Sequence, residues 1–164
     1  MESKARLLGH PIHPMLIVFP LGLLTTAIIF DLLYLATGNG RLTDVSFYMI
    51  AAGIIGGLLA AAFGLIDWLA IPSGTRAKTV GLWHGLGNVV VTVLFIASWW
   101  LRRESPANPV ALALACSFVG GALALITGWL GGELVGRLGV GVDEGANVNA
   151  PSSLSSRSAG SRVR

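Results

Sequence analysis

Charged residues are scarce in this chain. Lys, Arg, Asp and Glu make up 12% of 164 residues, against 54% hydrophobic. A water-soluble domain carries roughly a quarter charged residues to cover its surface, so that class is excluded. Cysteine occurs once, at Cys116. A single thiol excludes an intrachain disulfide and a thiolate metal cluster, and its place in an apolar run makes a packed apolar thiol the expectation. His-Glu-x-x-His, Cys-x-x-Cys and Gly-x-Ser-x-Gly arrangements are missing. No hydrolase or thiol-redox reaction is indicated, and no catalytic residue is assigned. The basic residues form no patch or groove-reading motif, which argues against a nucleic-acid partner.

Apolar sequence is what the chain has in quantity. Runs at 14–36, 45–71, 79–101 and 108–135 reach the roughly 20 residues that cross the ~30 Å hydrocarbon layer as a helix. The expected fold is an all-α integral membrane protein, a four-helix transmembrane bundle of two antiparallel hairpins joined by short loops. Residues 1–142 form one four-span domain with the lipid bilayer as its surroundings. The first run is too long for a signal-peptide core, and no Ala-x-Ala-type site follows it at 34–40, so it is expected to be retained. Residues 143–164 turn to Gly, Ala, Asn, Ser and Arg and are expected to form a disordered cytoplasmic tail. Lys4, Arg6, Arg76, Lys78 and Arg137 flank one membrane face, with Arg157, Arg162 and Arg164 in the tail. Arg41, Arg102 and Arg103 flank the other. The positive-inside rule then places both termini in the cytoplasm.

Local punctuation is readable. Gly38-Asn39-Gly40 and Pro72-Ser73-Gly74 supply loop chemistry. Pro14 suits a first helical turn, and Pro20 removes the bond to the Leu16 carbonyl, which predicts a kink. Gly53, Gly57, Ala60, Gly64 and Asp67 share a face of the second span, and Gly121, Gly128, Gly132 and Gly136 mark the fourth. Such small-residue stripes let helices pack closely in lipid. A parallel two-fold pattern is faintly visible, each hairpin beginning near a histidine (His13, His84) and ending near an acid beside a tryptophan (Asp67 and Trp68; Glu133 and Trp129).

Ionisable groups within a membrane are costly and mark function. His10, His13, Asp67, His84 and Glu133 all fall at span ends on one face. His84, Asn88 and Thr92 recur every fourth residue as an inward polar stripe, and His84 and Asp67 lie at comparable depth, which predicts a direct or water-bridged contact. Glu133 is expected to pair with Arg137. Asp31 belongs to the opposite leaflet, snorkelling or pairing with Arg41. Imidazoles and carboxylates together are ligands for a transition metal, giving the candidate metal set His10, His13, His84, Asp67 and Glu133. Two imidazoles from different helices could instead ligate haem b axially, with His13 and His84 leading, His10 as the alternate and Asn88 beside them. The same residues could relay protons, or form a hydrogen-bonded clasp.

The segments Gly9-His10-Pro11-Ile12-His13-Pro14-Met15-Leu16, Gly64-Leu65-Ile66-Asp67-Trp68, His84 with Asn88, and Gly128-Trp129-Leu130-Gly131-Gly132-Glu133-Leu134-Val135 resemble the bacterial membrane proteins grouped as domain of unknown function 2231. The resemblance covers residues 9–142. It implies four spans in the bacterial inner membrane and no established activity. Some relatives are fused to Rieske-type or cytochrome-like domains, which implies a redox setting. Relatives often carry Tyr after the Glu-Leu-Val run, where this chain has Gly136.

Three functions are therefore in play. The sharpest is a haem- or metal-binding component that passes electrons to a redox partner protein. The others are a small permease or proton-conducting protein, and a structural or assembly subunit of a larger membrane complex. The apolar deep half of spans two and four argues against a continuous polar path.

Overall fold

The computed structural model describes residues 1–155 and 157–160. Residues 156 and 161–164, part of the expected disordered tail, lie outside the described residues.

A short antiparallel hairpin of β1 (Arg6–Leu7) and β2 (His10–Pro11) leads into five helices: α1 (Ile12–Leu16), α2 (Val18–Thr37), α3 (Gly40–Ala70), α4 (Arg76–Arg102) and α5 (Ala111–Gly136). α1 and α2 together form the first span. Ile17 separates them and lies between Leu16, whose carbonyl loses its partner, and Pro20, whose missing N–H causes that loss. The expected kink is therefore a short break. Four helical stretches are long and apolar enough to cross a membrane: Ile12–Thr37, Gly40–Ala70, Arg76–Arg102 and Ala111–Gly136. The all-α four-helix architecture is as expected.

Turn chemistry sets the boundaries. Gly38 closes α2 in the left-handed conformation at φ 69°, and its N–H donates to Tyr34 O at 2.8 Å. Asn39 then caps α3, its side chain accepting from Arg41 N at 3.2 Å. Thr75 caps α4 by accepting from Lys78 N at 3.1 Å. Lys78 reaches back to close the α3–α4 turn, with Nζ 4.1 Å from the Trp68 ring centre and donating to Trp68 O at 2.7 Å.

Large apolar side chains cover the outside. Leu21, Ile55, Leu58, Val89, Val93, Leu125 and Ile126 are all exposed, a surface that water would not tolerate and that lipid solvates. The centre packs Ala27, Ile50, Val91 and Phe95, with Leu24, Ile28 and Met49 against them. Glycines permit close helix approach at particular places. A Cβ on Gly53 would stand 2.6 Å from Leu24 Cδ2, and one on Gly56 2.9 Å from Phe19 Cβ. Gly128, Gly132 and Gly136 meet nothing within 4 Å, so that stripe of α5 packs against no helix of the bundle.

The two hairpins repeat one another. A 71-residue step carries His13 to His84, Leu24 to Phe95, Ala27 to Ser98 and Asp31 to Arg102. A 67-residue step carries Ser46 to Ala113, Gly53 to Gly120, Ala60 to Thr127 and Gly64 to Gly131. The contacts follow these steps: Gly53 packs on Leu24 as Gly120 packs on Phe95. Asp67 and Glu133 do not correspond at either step. The halves run parallel, as in proteins whose repeats are related by an axis along the membrane normal.

Candidate functional site

At the end of the bundle near the N-terminus, α1 and α4 bring two imidazoles together. His13 Nδ1 lies 2.8 Å from Ala60 O on α3, and His84 Nδ1 lies 2.8 Å from Thr127 O on α5. A carbonyl only accepts, so each ring carries a proton on Nδ1, and in the neutral imidazole that leaves Nε2 as a lone pair. The ring centres are 6.5 Å apart and the planes meet at 89°. Glycines give both rings room. A Cβ on Gly64 would be 2.9 Å from His13 Cε1, and one on Gly131 3.0 Å from His84 Cε1.

Asn88 braces His84. Its Nδ2 donates to His84 O at 2.8 Å and lies 3.4 and 3.3 Å from the two ring nitrogens. Those nitrogens are roughly 2.2 Å apart, so a group nearly equidistant from both sits over the ring face, off the Nε2 lone pair. Asn88 Oδ1 accepts from Thr127 Oγ1 at 3.1 Å, and Thr92 Oγ1 donates to Asn88 O at 2.8 Å. The polar stripe is thus a real network. It ends at Val91 and Phe95, both buried in the core.

The other three candidates lie elsewhere. His10 is exposed and its Nε2 meets Ser153 Oγ at 3.1 Å. Asp67 is turned to the N-terminal segment and away from His84, accepting from Ser3 Oγ at 2.8 Å, Lys4 N at 2.8 Å and Ala5 N at 3.4 Å. Glu133 pairs with Arg76 at 2.6 Å in place of the expected Arg137. No group of three or more His, Cys, Asp and Glu that could hold a metal ion is found among the described residues. Of the five-residue set, the structure brings only His13 and His84 together.

The segment before the first span forms a strap across this end. Ile12 N donates to Ala5 O at 2.9 Å, the Met1 amine to Gly139 O at 2.9 Å, and Gly141 N to Met1 O at 2.9 Å. Arg6 bonds Gly9 O and Asp143, the latter at 2.6 Å. The strap ties the end of α3 to the chain beyond α5.

A second polar cluster was not foreseen. Asp31 pairs with Arg102, not with Arg41: Nη1 to Oδ1 is 2.9 Å and Nη2 to Oδ2 is 3.0 Å, with both side chains 0% exposed. Ser46, Ser98 and Ser117 surround the guanidinium at 3.3, 2.9 and 3.0 Å. The sequence reading set Arg102 among the charges flanking the membrane face. The signal that could have found it is the 71-residue step, which carries Asp31 onto Arg102 as it carries His13 onto His84.

Four apolar helices around one buried and one half-buried polar centre define a multi-pass integral membrane protein. No catalytic arrangement among the described residues narrows that class. Residues 9–144 match the family model described as predicted membrane protein (DUF2231), and the chain belongs to that family. No curated protein and no solved structure matches the chain.

Proposed function

We propose that the protein is a membrane redox component that holds a haem b between His13 and His84. The observation that carries this reading is the pair of imidazoles, each fixed through Nδ1 to a carbonyl with Nε2 left as a ligand. Were both Nε2 atoms to ligate one iron from opposite sides, metal–nitrogen bonds of about 2.0–2.1 Å, with ~1.1 Å from each nitrogen to its ring centre, would set the centres roughly 6.3 Å apart. The observed separation is 6.5 Å. With two protein ligands and no carboxylate beside them, a bare ion would lack the four ligands that zinc takes, whereas haem iron brings four nitrogens of its own and needs only an axial pair. When bound, the haem supplies one-electron chemistry. The chain's part is to hold the imidazoles in one tautomer and to clear space with Gly64 and Gly131.

Residues 1–142 are the four-span domain in this reading, in a bacterial inner membrane with both termini cytoplasmic. The burial of Arg102 supports that orientation. It leaves only Arg41 and Arg103 on the far side, against Lys4, Arg6, Arg76, Lys78 and Arg137 on the near side. A structural or assembly role is the second reading, favoured by the open face at Gly128, Gly132 and Gly136.

The test is an absorption spectrum of detergent-purified protein, oxidised and dithionite-reduced, with iron and haem assayed on the same sample. A Soret band with sharp reduced α and β bands, lost in both His13→Ala and His84→Ala, is expected. Protein purified with haem supplied throughout growth that shows neither Soret band nor iron refutes the redox reading. The assembly reading would then be tested by partner recovery.

A further inference from the structure

Each imidazole is held by a copy of the same device. In the first hairpin the Ala60 carbonyl takes the His13 Nδ1 proton, and Gly64, one turn further along α3, lies against the Cε1 edge. In the second, the Thr127 carbonyl takes the His84 Nδ1 proton, and Gly131, one turn further along α5, lies against Cε1. A hydrogen bond at one point and a close wall at the next together remove rotation about the Cβ–Cγ bond. The repeated device leaves the two planes at 89° to each other.

The geometry points to Gly64 and Gly131, acting with the Ala60 and Thr127 carbonyls, as positioning residues that hold the two axial imidazoles of a haem mutually perpendicular. The inference rests on the haem reading above. Its consequence is electronic. An imidazole donates π density into the iron d orbital that lies perpendicular to its own ring plane. Parallel rings load the same orbital and split the pair, whereas perpendicular rings load one each and leave the two nearly degenerate. A ferric low-spin centre with near-degenerate orbitals gives an electron paramagnetic resonance spectrum dominated by one large-g feature at low field. Parallel rings give three resolved rhombic lines.

The experiment is low-temperature electron paramagnetic resonance on oxidised full-length holoprotein, with haem content measured by absorption on the same samples. Wild type is expected to show the single low-field feature. A methyl at Gly64 or Gly131 would lie 2.9 or 3.0 Å from the ring carbon and must turn the ring or shift the helix. Gly64→Ala and Gly131→Ala are therefore expected to move the feature toward the rhombic pattern, while Gly132→Ala, with nothing within 4 Å, leaves it in place. A rhombic wild-type spectrum with a normal Soret band overturns the perpendicular arrangement and leaves axial ligation standing. A low-field feature unmoved in both alanine variants overturns the role of the glycines. Absence of any Soret band fails the underlying reading instead. If the variants fold poorly, the wild-type spectrum still decides the ring arrangement.

Discussion

Removing one partner of the Asp31–Arg102 pair should destabilise the bundle far more than removing both. Arg102 donates to both carboxylate oxygens and lies within 3.3 Å of three serine hydroxyls, and neither charged side chain touches solvent. In Arg102→Met the carboxylate is left in a dry helical interior, and in Asp31→Asn the guanidinium is. Breaking a buried pair on one side costs about 3–5 kcal/mol. The double variant Asp31→Leu with Arg102→Leu leaves only the serines, and each already has a carbonyl within reach: Ser46 at Ala27 O, Ser98 and Ser117 at Ala113 O. That variant is expected within about 1 kcal/mol of wild type, or more stable. Equilibrium unfolding in mixed micelles, followed by the fluorescence of the five tryptophans, measures the full double-mutant cycle. Single variants that each cost less than about 1 kcal/mol, the range of solvent-exposed pairs, would refute the reasoning.

Other expectations follow from individual contacts. Glu133→Gln should cost no more than about 1 kcal/mol in the same unfolding assay, because the Arg76 side chain of its pair is 60% exposed. Asp67→Asn puts an amide N–H₂ among donors from Ser3, Lys4 and Ala5, a loss of about 1–3 kcal/mol for the strap. Faster amide hydrogen exchange at Lys4 and Ala5, with the spans unchanged, is the expected readout. Gly53→Leu forces a side chain into Leu24 and should destabilise by about 1–3 kcal/mol or more. Gly132→Leu, facing open space, should leave unfolding nearly unchanged. Equal effects from the two substitutions would contradict the helix packing.

Much of the architecture was legible before any coordinates. The long apolar runs, Pro20, the Gly38-Asn39-Gly40 loop and the inward stripe of His84, Asn88 and Thr92 each correspond to an observed feature. What hydropathy does not fix is the rotation of each helix, and the misplacements share that cause. Asp67 was expected against His84 because the two share a depth, but they do not share a face. Asp31 was expected to snorkel or to pair with Arg41, with Arg102 outside the bundle beside Arg103, whereas Arg102 is the last residue of α4 and is buried. The strap escaped notice because residues 1–8 have no periodicity: their order comes from bonds to Asp67, Gly139 and Asp143, distant in sequence. Gly131 stood in view only as one of several glycines. Its part beside His84 becomes plain when the 67-residue step aligns it with Gly64.

At one buried place the internal two-fold sets opposite charges against each other, and that place governs how the molecule avoids assembling with the wrong half. Asp31 and Arg102 occupy corresponding places in the two hairpins and meet across the axis. Two first hairpins docked in the same manner would set one aspartate against another, and two second hairpins would oppose arginines, each an uncompensated like-charge contact in a dry interior. Only unlike halves close without that conflict. A nascent first hairpin is therefore kept from dimerising with its twin in a neighbouring chain, and must await the second half of its own polypeptide.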